Sequence, residues 1–159
     1  MKHLEYINKY KGSRVDFDSA YGYQCVDLAR HYCGMVWWYL TKVFGGSAYK
    51  WWENRATTFA GKRCITGFPN DASDIKTGDI VIFKPSVFVE TKAPGSKIWK
   101  RIKLTTDGHV WVIDYIDNDG ILRIVEQNGG NGNGNWLGAN AIRLWGYKWK
   151  DAIAWFILQ

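Results

Sequence analysis

Residues 16–36, DFDSAYGYQCVDLARHYCGMV, decide how this chain is read, because a polar, turn-rich loop there runs into a cysteine and then into a helix. From Cys25 to about Val43, Val26, Ala29, Cys33, Val36, Trp37 and Leu40 recur every three or four positions, the spacing of one helical face. Gly34 weakens that run and Gly45-Gly46 ends it. The segment Asp16 to Gln24 is rich in small and turn-forming residues and reads as a loop. Cys25 therefore stands where a loop enters the principal helix. Free backbone amides and the helix dipole at such an entrance stabilise a thiolate, which makes Cys25 a candidate nucleophile. Cys33 and Cys64 read as small buried hydrophobes. Cys25 and Cys33 cannot pair within one helix, since about 12 Å of rise separates them.

Upstream, Leu4, Ile7 and Tyr10 fall at helical spacing and Gly12 stops them, so a short first helix is expected. Downstream, a further helix covers Ala48 to Thr58. After Pro69 the texture changes to strand. Gly78-Asp79 introduces Ile80, Val81, Ile82 and Phe83; Val110 to Ile116 and Ile121 to Gln127 flank the turn residues Asp117-Asn118-Asp119-Gly120; Ala141 to Tyr147 and Ala152 to Leu158 follow. Helices first and strands second predict an α+β domain, with N-terminal helices packed on a C-terminal antiparallel sheet. With no internal repeat and no linker, residues 1–159 are expected to form a single domain. The glycine-rich GGNGNGN, residues 129–135, follows a strand without an amphipathic helix after it and reads as a loop, not a phosphate cradle.

A cysteine nucleophile needs a base within hydrogen-bond reach and a group to orient that base. Of three histidines, His3 lies near a terminus and His31 on another side of the helix from Cys25. His109 opens a strand after Gly108, where its side chain can face a cleft. A turn centred on Asn118-Asp119 places Ile116 opposite Ile121, His109 opposite Asn128 and Trp111 opposite Glu126. In that register His109, Glu126 and Asn128 share one face, with Cβ atoms about 5–8 Å apart. Glu126 and Asn128 are thus candidates to orient His109.

Asp16, Asp18 and Asp27 occupy positions 1, 3 and 12 of a twelve-residue window, and Ala20 and Gly22 supply backbone carbonyls at positions 5 and 7. This is a calcium-loop spacing, with Tyr21 where a turn glycine is usual and Asp in place of Glu at position 12. The alternative is turn formation by Asp16 and Asp18, with Asp27 favouring the helix N-terminus.

Ten Trp and nine Tyr exceed what a core of this size needs, so some rings are expected to line a groove. Trp136 is a candidate to contact substrate there. The net charge of +6 favours an anionic partner. Its densest stretch, Lys97, Lys100, Arg101 and Lys103, alternates with apolar residues and reads as a strand or hairpin arm with a basic face. No run is long and apolar enough for a membrane span or a signal peptide, and no zinc spacing is present. A monomer without stable membrane insertion is expected. A non-catalytic wall- or nucleic-acid-binding module is the rival from another class, disfavoured because no nucleic-acid module signature appears.

The motifs DFDSAYGYQCVD (16–27), Gly78-Asp79-Ile-Val, Gly108-His109-Val and Val125-Glu126-Gln127-Asn128 resemble those of the CHAP family, the cysteine, histidine-dependent amidohydrolases and peptidases of phage endolysins and bacterial wall hydrolases. The resemblance implies a papain-like fold and a peptidoglycan hydrolase. Its nucleophile would be Cys25 and its base His109, with Glu126 orienting the base and Asn128 a polar partner. It also implies calcium at Asp16, Asp18, Ala20, Gly22 and Asp27, and a phage-type enzyme held in the host cytoplasm until release. Gln24 resembles the oxyanion-stabilising glutamine of papain-like enzymes, although here it adjoins the cysteine. The bond cut would be a stem or cross-bridge peptide bond or the N-acetylmuramoyl-L-alanine amide. Another papain-like cysteine amidase or protease would share the same site logic.

Overall fold

A computed structural model describes residues 1–13, 25–38, 47–54, 64–67, 69–92, 95–125, 140–144, 151 and 153–158. Among the described residues three α-helices, α1 (His3–Tyr10), α2 (Cys25–Val36) and α3 (Tyr49–Glu53), precede eight strands. The strands are β1 (Cys64–Gly67), β2 (Ile80–Phe83), β3 (Phe88–Lys92), β4 (Lys100–Lys103), β5 (His109–Ile116), β6 (Leu122–Val125), β7 (Asn140–Leu144) and β8 (Ile153–Leu158). They form one sheet in the order β1-β8-β2-β5-β6-β7-β3-β4, and every pairing between neighbours is antiparallel. The α+β class follows as expected. The sheet starts earlier than Pro69, with β1, and the basic stretch is the edge strand β4.

Alternation along the strands divides the core in two. Ile80, Ile82, Val110, Val112 and Val125 face the helices, meeting Tyr6, Leu28, Ala29, Tyr32, Cys33, Trp37 and Trp51. Val81, Phe83, Val89, Trp111, Ile113, Leu122, Ile124 and Ile142 form a second cluster on the other face. Each fully buried aliphatic side chain contributes about 1.5–3 kcal/mol of transfer free energy. Helix α1 buries Tyr6 and Ile7, whereas Leu4, expected on its inner face, is 66% exposed. Among the described residues Trp37, Trp51, Trp52 and Trp111 are buried, whereas Trp38 is 75% exposed.

The β5–β6 hairpin closes through Asp117. Its carboxylate accepts from the Asp119 and Ile121 amides at 3.0 and 3.1 Å and from Arg123 Nη2 at 3.1 Å. That arrangement draws in one residue more than the expected turn, so Ile116 pairs with Leu122 instead of Ile121. A bulge between Ile113 and Tyr115 absorbs the extra residue. Beyond it Val112 pairs with Val125 and Ile113 with Ile124, the register expected for the His109 end.

Candidate active site

Cys25 is the first residue of α2 and is half-buried. The helix packs along β5, with Leu28, Ala29, Tyr32 and Cys33 in one cluster with Val110 and Val112. This brings the helix entrance to the start of the strand. The Cys25 sulfur there accepts hydrogen bonds from the His109 side chain and from the backbone amides of Val110 and Val26. The Val26 amide belongs to the first turn of α2, where backbone donors lack intrahelical partners.

Burial is the largest influence on the Cys25 thiol and pushes its pKa up. The charge of His109, its hydrogen bond and the two amides together reverse that effect, leaving the thiol below its ordinary value of 9.0. A lowered thiol pKa favours the thiolate, the reactive form of a cysteine. Cys33 forms no disulfide and is fully buried.

The backbone before His109 is shaped to deliver its ring. Gly108 has φ +67°, and a Cβ there would lie 2.5 Å from the Phe83 carbonyl oxygen. Only glycine allows β5 to begin this close to the end of β2, where Phe83 pairs with His109. The loop is anchored from outside as well, because the Tyr49 amide and the Ser47 hydroxyl donate to the Asp107 carbonyl at 3.0 and 3.1 Å. The His109 ring then stands edge-on to Trp111, with centroids 4.9 Å apart, and Trp111 stands edge-on to Phe83 at 4.4 Å. His109 is itself buried.

Of the residues singled out from the sequence, Cys25 and His109 are brought together. Asp27 lies in the first turn of α2 and is 3% exposed. Gln24, Glu126, Asn128, Trp136 and the calcium candidates Asp16, Asp18, Ala20 and Gly22 lie outside the described residues. Among the described residues no group of three or more His, Cys, Asp and Glu side chains gathers to hold a metal. His31 serves the core: its Nδ1 is 2.8 Å from the Tyr6 hydroxyl, and burial, with Lys9 second, lowers its pKa.

Away from this site, β3, β4 and β7 present a basic face. Glu90 pairs with Arg143 at 2.7 Å and with Arg101 at 3.7 Å. Lys92 and the Arg143 guanidinium lie over the Trp99 ring, 5.1 and 4.1 Å from its centroid, and Lys103 lies 5.6 Å from that of Phe88. No described helix is long and apolar enough to cross a membrane.

The model of the CHAP domain family matches residues 14–128, which include both Cys25 and His109. Among solved structures the chain is similar to one titled "Crystal structure of a wild type endolysin LysIME-EF1", with a TM-score of 0.58 and 19% sequence identity. The likeness covers 98% of this chain and 62% of that one, so this chain spans under two-thirds of the endolysin's length. No curated protein matches the chain.

Proposed function

Because the chain belongs to the CHAP domain family, we propose that it is a peptidoglycan hydrolase using Cys25 as nucleophile and His109 as base. The observation that carries the reading is the hydrogen bond from His109 to a Cys25 thiol held below its ordinary pKa. The endolysin title of its structural neighbour agrees with a wall substrate.

The reaction follows from that pair. The Cys25 sulfur attacks an amide carbonyl of the wall peptide, forming a C–S bond. The His109 imidazolium gives its proton to the amide nitrogen as the C–N bond breaks, so an amine leaves. A water, losing its proton to His109, then attacks the thioester. The acid departs and the Cys25 sulfur is restored with its imidazolium partner. The reading includes Glu126, with Asn128 beside it, as the group that orients His109. The register at Val112–Val125 supports this, being the one on which their shared face was reasoned. Gln24 and Trp136 are assigned to the substrate.

The reading also includes a calcium ion held by Asp16, Asp18, Asp27 and the carbonyls of Ala20 and Gly22. Their spacing supports it. Such an ion would fix the loop that leads into Cys25. The substrate amide is a stem or cross-bridge peptide bond or the N-acetylmuramoyl-L-alanine amide. The direct test is lysis of purified Gram-positive walls by wild type and by Cys25→Ala: loss of lysis in the variant is expected, and a fully lytic variant refutes the proposal.

A further inference from the structure

His3 joins the two elements that carry Cys25 and His109. Its Nδ1 lies 2.7 Å from the Tyr32 hydroxyl, and its Nε2 lies 3.1 Å from Oδ1 of Asp114. Tyr32 belongs to α2, about two turns beyond Cys25. Asp114 belongs to β5, at the bulge between Ile113 and Tyr115. An ionised carboxylate only accepts, so His3 Nε2 carries a proton and donates it to Asp114. The Nδ1 contact with the Tyr32 hydroxyl completes a bridge from helix to strand through one ring.

The surroundings leave this bridge little play. Tyr32 is fully buried, and its ring stands edge-on to Tyr6 with centroids 5.0 Å apart. Burial raises the Tyr32 pKa, so the hydroxyl remains a donor. Gly78, at φ +86°, lies against that hydroxyl, and a Cβ there would be 3.1 Å from the oxygen.

Helix α2 and strand β5 are therefore linked at two places along their length. At one end the Cys25 sulfur meets His109 and the Val110 amide. At the other, Tyr32 meets Asp114 through His3. Between them Leu28 and Ala29 pack with Val110 and Val112, and apolar packing is non-directional, so it does not by itself stop the helix from sliding along the strand. The bulge has a matching purpose, since an extra residue in a strand re-aims a side chain.

We propose that His3 is a positioning residue for the Cys25–His109 pair: by bridging Tyr32 to Asp114 it fixes α2 along β5 and keeps the Cys25 thiol within reach of the His109 ring. The inference rests on Cys25 and His109 being the reactive pair. His3 touches neither, and it acts only through the two elements it joins.

The test measures, in the full chain, the pH dependence of Cys25 alkylation by iodoacetamide, with the Cys25 adduct resolved by peptide mass spectrometry. It also measures kcat and KM on purified walls. In His3→Ala the alkylation inflection is expected to move up toward 9.0, and kcat to fall about 10- to 100-fold with KM nearly unchanged. Asp114→Ala should behave alike, whereas Asp114→Asn keeps an oxygen acceptor and should stay near wild type. Should His3→Ala fail to fold, Tyr32→Phe removes one oxygen from the bridge and carries the same readouts. A folded His3→Ala or Tyr32→Phe protein with a lowered melting temperature but an unchanged inflection and kcat overturns the proposal. The thiol titration needs no wall substrate, so a Cys25→Ala protein that still lyses walls refutes the hydrolase reading separately.

Discussion

The Cys25 sulfur accepts a hydrogen bond from the His109 side chain while the amide of Val110, the next residue of β5, donates to the same sulfur. Strand and helix entrance thus stabilise one thiolate together, and the depressed thiol pKa is a property of their junction.

This relationship sets a pH dependence. The Cys25 thiol titrates below its ordinary value of 9.0, so the midpoint of its alkylation rate against pH should fall below pH 9. Replacing His109 with Ala removes the largest lowering influence and leaves the opposing effect of burial. The inflection should then rise, and hydrolysis should fall by about three orders of magnitude or more, as expected on losing a base and acid. The alkylation rate between pH 5 and 10 checks the sign.

Gly108→Ala should damage both stability and activity. A side chain at left-handed φ costs about 1–3 kcal/mol, and here its Cβ would also press on the Phe83 carbonyl. β5 must shift at its first residue, which carries His109. Urea unfolding should show the loss in midpoint, and the surviving folded fraction should turn over more slowly than wild type.

Much of this was legible in the sequence because local signals and tertiary demands coincide. The apolar positions Val26, Ala29, Cys33 and Val36 marked α2, although the same periodicity ran on to about Val43 and α2 ends at Val36, before Trp38 at φ +56°; the polar loop before it placed Cys25 at the helix entrance, and Gly108 marked the start of β5. Other features were hidden. The hairpin tip differs because the Asp117 carboxylate captures amides of the turn, a side-chain preference that strand alternation does not encode. His3 looked peripheral because its partners, Tyr32 and Asp114, are distant in sequence and meet only when helix and strand pack. The fate of the Trp residues was likewise undetermined, since abundance alone does not say which rings go inward.

Calcium, if held by the loop before Cys25, binds the native state and should raise its stability by mass action. At 100-fold excess over the dissociation constant the gain is about 2.7 kcal/mol. Thermal melts in chelator and after calcium is restored should differ by several degrees, and Asp16→Asn with Asp18→Asn should abolish the difference. Equal melting temperatures in both conditions would reassign the aspartates to turn formation.

The basic face of β3, β4 and β7 should make wall association sensitive to salt. Exposed charges lose most of their reach when the screening length falls from about 10 Å at 0.1 M to about 3 Å at 1 M. Wall binding by Cys25→Ala should weaken steadily across that range, and less steeply with Lys92→Gln and Lys103→Gln together. Sedimentation of the variants with purified walls measures both slopes.

The central claim is that Cys25 and His109 hydrolyse an amide of peptidoglycan. Mass spectrometry of purified peptidoglycan after digestion tests it most directly. Wild type should release fragments ending in one new amine and one new carboxyl group at a single kind of bond, and Cys25→Ala should release none. Fragments formed equally by Cys25→Ala, or cleavage confined to glycosidic bonds, would contradict the account.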